Sequence, residues 1–407
     1  MITAWKQTTD AGVTYPEGFV ASGVRCGLKS EGPDLALIVC DGDAPVAGVF
    51  TQNLVQAACV RHSRRVVASG LGRAIVCNAG NANACNGEQG DRDAAAMAEI
   101  TARHLGLDPG KVLVASTGVI GHPLPMHLIE AGIPLAVEAL DRNHGADLQV
   151  AQAIMTTDLR RKMLAVTCCS DQWDGELNIG GVCKGSGMIA PNMATMLCFL
   201  TTDACIAPAL LQAALCRASR KSFNRVTVDG DTSTNDMALI LAAGTGGARI
   251  AEEGTAFEDF VEALTRVCVH LAREIARDGE GATKLVEVAV RRAPNEEAAE
   301  RVARTIAESP LVKTALFGCD PNWGRILAAA GRAGIPFDPA RVRVLVGDTE
   351  VYRDGSGRQF DRNAVHDYLG EAEICIAVDL AAGEASARIW TCDFSYDYVR
   401  INAEYHT

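Results

Sequence analysis

The segment 184–203 reads KGSGMIAPNMATMLCFLTTD, and its residue types and spacing could support self-cleavage followed by nucleophilic catalysis. A Gly-rich polar stretch leads to Ala194 and Thr195, and an apolar run follows. Strain at the peptide bond between these two residues would let the Thr195 hydroxyl attack the preceding carbonyl and cut the chain. The freed α-amine, with an ordinary pKa of about 8, could then take the hydroxyl proton near neutral pH. Alternatively, Thr195 only begins a buried strand.

Thr117 and Gly118 form a second candidate feature, because they follow a predicted strand. A threonine hydroxyl and the next N–H group could donate two hydrogen bonds to one developing oxyanion, as acyl transfer requires. By themselves, the same two residues are more typical of a strand-to-turn corner.

Three further side chains could contact a charged or polar ligand. Thr157, in the run MTTD at 155–158, could bind a small polar molecule, or the run could cap a helix. Lys184 could hold a carboxylate, or be a solvated loop charge. Glu280, in DGEGATK, could meet an ammonium group, or lie in an exposed loop after a helix.

The loop 229–236 (DGDTSTND) is similar to a calcium loop but lacks the glutamate at position twelve, so hydrogen bonds within the loop are favoured. The run DPNWGR at 320–325 predicts a turn that opens a helix. The histidines have no spacing typical of zinc. We therefore expect no metal ion and no bound cofactor.

Composition narrows the class of protein. The chain has 407 residues, a net charge of −12 and no long basic run, which argues against nucleic acid as a partner. The sequence has no run of 18 apolar residues, so no membrane span is predicted. The N-terminus lacks the apolar core of a signal peptide. Fifteen scattered cysteines without a C-x-x-C pair favour a reducing, cytoplasmic location.

Alternating apolar runs and turn signals predict an α/β protein. The predicted strands cover 34–40, 46–50, 74–77, 111–116, 164–169, 177–182, 195–202, 284–290, 311–317, 341–346, 373–379 and 387–391. The predicted helices cover 91–105, with Asp91 as cap and Gly106 as stop, 208–220, 255–277, 296–308 and 323–330. Because the alternation lacks a regular βαβ period, a layered α/β sandwich is favoured over a doubly wound sheet. A boundary near 286 predicts a catalytic core domain at 1–285 and a smaller C-terminal α/β subdomain at 286–407.

Taken together, these segments resemble the ornithine acetyltransferases, the arginine-biosynthesis family also called glutamate N-acetyltransferases. The resemblance covers essentially the whole chain. The matching runs are NAGNANACNGEQG (78–90), STGVIG (116–121), MTTD (155–158), KGSGMIAPNMATML (184–197), SFNRVTVDGDTSTND (222–236), DGEGATK (278–284), DPNWGRILAAAG (320–331) and YVRINAEYHT (398–407).

The resemblance implies a layered αββα sandwich, similar to N-terminal nucleophile hydrolases but with a different chain order. It implies self-cleavage between Ala194 and Thr195 into an α chain, 1–194, and a β chain, 195–407, which assemble as a dimer of αβ pairs. It also implies that Thr195 accepts the acetyl group of N-acetylornithine and passes it to glutamate.

The resemblance also implies roles for individual residues. Thr117 and Gly118 match the oxyanion-hole pair. The residues that match substrate-contacting positions are Thr157, Lys184, Thr195, Glu280, Asn402 and Thr407. The opposite charges of Lys184 and Glu280 suit an amino-acid substrate with a carboxylate and an ammonium group.

Two departures leave alternatives open. Leu159-Arg160-Arg161-Lys162 stands where the family usually has Thr-x-Pro-Lys, and His406 stands where an arginine is expected. The chain could therefore be a specialised paralogue with another acceptor. An amidohydrolase or aminopeptidase on the same fold, and a non-catalytic binding protein, are the other hypotheses. The residues do not decide whether acetyl-CoA is also a donor.

Overall fold

The computed structural model describes residues 1–190 and 196–404. The strands are β1 (Ile2–Thr8), β2 (Phe19–Val24), β3 (Leu35–Phe50), β4 (Leu71–Asn81), β5 (Val112–Val119), β6 (Lys162–Ser170), β7 (Leu177–Lys184), β8 (Leu197–Thr202), β9 (Cys205–Ile206), β10 (Met237–Ala242), β11 (Arg249–Ile250), β12 (Leu285–Ala293), β13 (Arg343–Val346), β14 (Thr349–Arg353), β15 (Ser356–Gly357), β16 (Glu373–Asp379) and β17 (Ala385–Cys392). The helices are α1 (Ala58–Ser69), α2 (Gly87–Leu105), α3 (Met126–Glu138), α4 (His144–Ala153), α5 (Pro208–Lys221), α6 (Thr255–Arg277), α7 (Glu296–Ala307), α8 (Pro310–Phe317), α9 (Trp323–Gly331), α10 (Arg362–Leu369) and α11 (Tyr396–Glu404).

Strand β3 belongs to two sheet layers. Its first half pairs with β2 and β4, and its second half pairs with β10, which continues to β8, β7, β6 and β1. The two halves meet at residues 41–43, an exposed part of the strand where the register with β4 shifts between Val39 and Ala44. The sequence pattern predicted these halves as two strands, because the polar residues between them interrupt the apolar run.

The side chains of β8 and β10 show how the layers are covered. Leu197, Phe199 and Leu239 lie in one core cluster with β4 and the helices α1 to α4. Cys198 and Leu200 lie in a second cluster with α5 and α6. Successive side chains in a strand point to opposite faces, so this layer packs on the other sheet with one face and on helices with its other face. The expected αββα sandwich is confirmed.

A separate six-stranded sheet follows α6, with the strand order β15-β14-β13-β16-β12-β17. The buried side chains of its central strands form a third core cluster with α7, α8, α9 and α10. This arrangement agrees with the expected smaller α/β unit at the C-terminus. The division into domains at 285/286 stays a prediction.

One predicted strand, 311–317, is wrong, because these residues form helix α8 (Pro310–Phe317). A short apolar run does not distinguish a buried strand from a buried helix. Pro310 occupies the first helical turn, where a missing N–H is tolerated. Val312 and Leu316, one turn apart, both pack into the third cluster.

The predicted end of α2 is confirmed, but its predicted start is wrong. Gly106 ends the helix in the left-handed conformation, as a glycine at this position can. The helix begins at Gly87, four residues before Asp91, which therefore lies within the first turns instead of capping them. Within the described residues, no helix is long and apolar enough to cross a membrane.

We expect Leu239→Ala to lower the free energy of unfolding by about 2–5 kcal/mol, because it leaves a cavity between the two sheet layers. Leu239 is completely buried, whereas Leu54 is 99% exposed. The matched control Leu54→Ala should stay within about 0.5 kcal/mol of the wild type. Urea unfolding measures both, and equal effects would contradict the packing described here.

Candidate active site

The segments selected from the sequence converge on one cavity of about 170 Å³. Six of the predicted site residues line it: Thr117, Gly118, Thr157, Lys184, Glu280 and Asn402. Ala194, Thr195 and Thr407 lie outside the described residues. Met196 and Leu197, which follow the predicted nucleophile in the chain, also line the cavity. The catalytic roles of all these residues stay predictions.

Sequence reasoning did not select six polar or small residues that also line the cavity, namely Ala82, Thr156, Gly187, Ser233, Asn235 and Asp236. Each lies inside a run that carried the family resemblance. Their position in those runs was the signal that could have identified them, but such a position does not show which side chains point into the cavity.

The end of β5 carries the predicted oxyanion pair. Thr117 is buried, and Gly118 has a φ of 132°, a left-handed value that disfavours other residues. A Cβ atom on Gly118 would lie 2.3 Å from the carbonyl carbon of Gly80 on β4. Glycine is therefore required here both by the backbone conformation and by the close approach of β4.

Lys184, at the end of β7, faces this pair. Its ammonium donates a hydrogen bond to Thr156 Oγ1 at 2.9 Å and lies 3.4 Å from Thr117 Oγ1. Only 9% of the residue surface is exposed. A cation held in this way by neutral hydroxyls can attract a carboxylate that enters the cavity.

A buried group of three charges lies directly behind Lys184. Lys162 Nζ lies 2.6 Å from Asp158 Oδ1 and 2.6 Å from Asp278 Oδ2, and none of the three side chains is more than 3% exposed. Asp158 also accepts a hydrogen bond from Gly185 N, and Asp278 accepts one from Leu159 N. We call Lys162, Asp158 and Asp278 the ion triad.

The ion triad joins the three segments that carry Thr157, Lys184 and Glu280. Burial alone would raise the pKa of Asp158, but the ammonium groups of Lys162 and Lys184 hold that pKa well below its usual value. Burial likewise acts to lower the pKa of Lys162, and the two carboxylates outweigh it and hold that pKa above its usual value. Asp158 and Lys162 are thus both charged at neutral pH.

Glu280 faces the cavity from the loop after α6. Its Oε2 accepts a hydrogen bond from Asn402 Nδ2 at 2.8 Å, which places α11 at the cavity. A Cβ atom on Gly187 would lie 2.3 Å from Glu280 Cδ, so the carboxylate lies directly over the backbone of the KGSG turn. This fixed carboxylate can pair with an ammonium group of a ligand.

The loop 229–236 binds the backbone of residues 188 and 189 through the carboxylate of Asp229. Asp229 Oδ2 accepts a hydrogen bond from Met188 N at 2.7 Å, and Oδ1 accepts one from Ile189 N at 2.8 Å. Burial raises the pKa of Asp229. Hydrogen bonds within the loop and to its neighbour therefore account for this run, as favoured from the sequence. Among residues 1–190 and 196–404, no group of three or more His, Cys, Asp or Glu side chains could hold a metal ion.

Residues 20–407 match the ArgJ family over nearly the whole chain. This chain belongs to the ArgJ family. A relative from Synechococcus sp., named arginine biosynthesis bifunctional protein ArgJ, is 49% identical over 419 residues. The alignment covers 100% of this chain and 100% of the relative. The protein of the same name from Symbiobacterium thermophilum is 50% identical over 400 residues, which cover 97% of this chain and 98% of the relative.

The crystal structure of ornithine acetyltransferase complexed with ornithine from Mycobacterium tuberculosis is 40% identical in sequence. The match covers 47% of this chain and all of that chain, with a TM-score of 0.45. The family resemblance inferred from the motifs is confirmed by the ArgJ family match and by the similar relatives.

We expect Lys162→Met to lower the free energy of unfolding by about 3–5 kcal/mol at neutral pH, because two buried carboxylates lose their counter-charge. In the wild type the depressed pKa of Asp158 stabilises the fold at pH values above the ordinary carboxyl pKa of about 3.9. This stabilisation is lost as the pH falls below that value. In the variant, Lys184 would oppose the effect of burial without Lys162, so that pKa should rise from its wild-type value, and the deficit should shrink as the medium becomes more acidic.

Urea unfolding at a series of pH values measures this effect. Lys111→Met is the matched control, because Lys111 pairs with Asp43 at the surface, where the two side chains are 30% and 43% exposed. Its effect should not exceed about 1 kcal/mol. A deficit in Lys162→Met that is independent of pH would contradict the charge state assigned to the ion triad.

Proposed function

We propose that this ArgJ-family chain transfers an acetyl group from N2-acetyl-L-ornithine to L-glutamate through an acetyl-Thr195 intermediate. One observation carries the proposal: a single cavity contains a buried cation, a buried carboxylate and the Thr117–Gly118 pair, next to the residue that follows Thr195. The relatives named for arginine biosynthesis, and the ornithine acetyltransferase of known structure, support the same reaction.

The charges of the cavity match the donor substrate. N-acetylornithine carries one carboxylate, which Lys184 can pair with, and one free side-chain ammonium, which Glu280 can pair with. Its α-nitrogen is acylated and uncharged. Glutamate has a side-chain carboxylate in place of that ammonium, so repulsion from Glu280 must direct its side chain along another path in the cavity.

The proposed chemistry proceeds in two acyl transfers. The α-amine of Thr195 takes the hydroxyl proton, and the hydroxyl oxygen attacks the acetyl carbonyl. Thr117 and the Gly118 N–H stabilise the negative charge that develops on the carbonyl oxygen. The C–N bond breaks, ornithine leaves with a proton on its α-nitrogen, and the α-amine of glutamate then attacks the acetyl ester and restores the hydroxyl.

A second acetyl donor is also proposed, because the similar relatives are named bifunctional. Acetyl-CoA would load the same threonine, and the reaction would need no bound cofactor. The mature form would be a dimer of αβ pairs in the cytoplasm. All fifteen cysteines are free thiols, which fits a reducing compartment.

We expect Thr195→Ala to abolish both self-cleavage and acetyl transfer, because both reactions need the hydroxyl. Intact mass under denaturing conditions should give two fragments that meet at 194/195 for the wild type and one chain of 42.9 kDa for the variant. Thr305→Ala, at a half-buried position on α7 that does not line the cavity, is the matched control and should cleave and react normally.

The products separate the remaining hypotheses. Acetyl transfer yields N-acetylglutamate and ornithine, whereas an amidohydrolase would release free acetate even with excess glutamate. A wild-type chain that stays intact and gains no acetyl group would favour a binding protein. Activity in Thr195→Ala would disprove the mechanism.

We expect Gly187→Ala to raise the KM for N-acetylornithine at least tenfold, because the new methyl group would displace the Glu280 carboxylate. Loss of one charge-assisted contact is typically worth about 1.5–3 kcal/mol, which agrees with that factor. Steady-state kinetics measure KM. Gly42→Ala is the control, since a Cβ atom there meets nothing within 4 Å. An unchanged KM in Gly187→Ala would contradict the placement of Glu280 over the KGSG turn.

A further inference from the structure

We propose that Asn235 is a positioning residue for the oxyanion pair Thr117–Gly118. The inference rests on the proposed acetyl transfer and adds a residue to it. Asn235 would not touch the reacting atoms. Its amide group would hold the edge of the strand from which both donors project.

Strand β5 lies at the end of the sheet order and, among the described residues, pairs only with β4. Alternate residues of such a strand direct their N–H and C=O groups away from the neighbouring strand. Helix α1 contacts these outward groups at two positions. His62 Nε2 lies 3.0 Å from Val112 O, and Ser63 Oγ bonds both N and O of Val114.

Asn235 continues this row at the next outward position. Its Nδ2 donates hydrogen bonds to Ser116 O at 2.8 Å and to Ala82 O at 2.6 Å. Its Oδ1 accepts a hydrogen bond from Thr234 Oγ1 at 2.6 Å, which orients the amide so that its NH2 group faces the two carbonyl oxygens, and Nδ2 also lies 3.6 Å from Cys59 Sγ. The residue is 5% exposed, so these bonds are sheltered from water.

Gly118 is the following outward position of the row. On the other side of the strand, Val119 O accepts a hydrogen bond from Ala82 N, which confirms the alternation at this end. The Gly118 N–H therefore points to the same side as Asn235, and both residues line the cavity. Asn235 therefore makes the last contact of this row, and the next outward group is the Gly118 N–H, the predicted oxyanion donor.

The carbonyl held by Asn235 belongs to the peptide plane that precedes Thr117. Because this plane ends at Thr117, fixing it restricts the direction of the Thr117 side chain and of the Gly118 N–H group in the following peptide plane. Oxyanion donors are effective because they are oriented before the reaction, and a shift of about 1 Å can lower a rate about 100-fold. After the predicted cleavage, Asn235 would belong to the β chain and Ser116 to the α chain, so this contact would also align the two chains.

Two substitutions test the inference, with Ser63→Ala as the matched control. Ser63 holds the same strand edge one position away and does not line the cavity. We expect Asn235→Ala to lower kcat about 100-fold, referred to the cleaved fraction, with KM within about threefold of the wild type. Ser63→Ala should lower Tm but keep kcat near the wild-type value.

Asn235→Asp preserves the size of the side chain and adds a pH readout. An ionised carboxylate would repel the carbonyl oxygens of Ser116 and Ala82, whereas the protonated acid can donate one hydrogen bond. The kcat of this variant, divided by that of the wild type, should therefore rise as the pH falls. A purely structural role would leave this ratio independent of pH.

The inference is overturned if folded, cleaved Asn235→Ala keeps its kcat, or if Ser63→Ala loses as much. If Asn235→Ala does not fold, the pH profile of Asn235→Asp decides, and a flat ratio overturns the inference. Wild-type enzyme without acetyl transfer would overturn the proposed function itself, so the two failures are distinguishable.

Discussion

The arrangement of this site depends on the pairing of one buried lysine, Lys162, with Asp158 and Asp278. Three charges in the interior are tolerable because Lys162 pairs with both carboxylates, Lys184 adds a second positive charge near Asp158, and the carboxylates also accept backbone hydrogen bonds. The same bonds hold three loops, which approach from the end of α4, the end of β7 and the end of α6. Lys184 and Glu280 keep their separation because the loops that carry them share this one buried lysine.

The sandwich brings the rest of the site to these loops. Strand β3 passes through both sheet layers, so the end of β5 in one layer and the start of β8 in the other lie at the same cavity. Close approach there is possible only without side chains at Gly118 and Gly187, where a Cβ atom would collide with Gly80 or with Glu280. Helix α11 then completes the wall through Asn402.

Local patterns predicted some of the regular elements with the correct bounds, but they gave no prediction for α1, α3, α4, α10 and α11. Helix α6 (Thr255–Arg277) and strand β16 (Glu373–Asp379) have the predicted bounds. The pattern failed at α8 (Pro310–Phe317), where a short apolar run suits both states and the packing of the C-terminal core decides between them. The site segments were recognised by their motifs, and their predicted residues meet in one cavity wherever the structure describes them.

The sequence by itself determined the family, the segments that form the site and the residue types available for nucleophile, oxyanion donors and charged contacts, because these are properties of short contiguous runs. Only the tertiary structure decided that Lys162 binds Asp278, 116 residues away, and that Asn235 holds Ser116, 119 residues away. Partners so distant leave no local pattern. The lysine contacts that keep Asp158 charged, and the burial that makes the amide of Asn235 effective, exist only once the layers have packed.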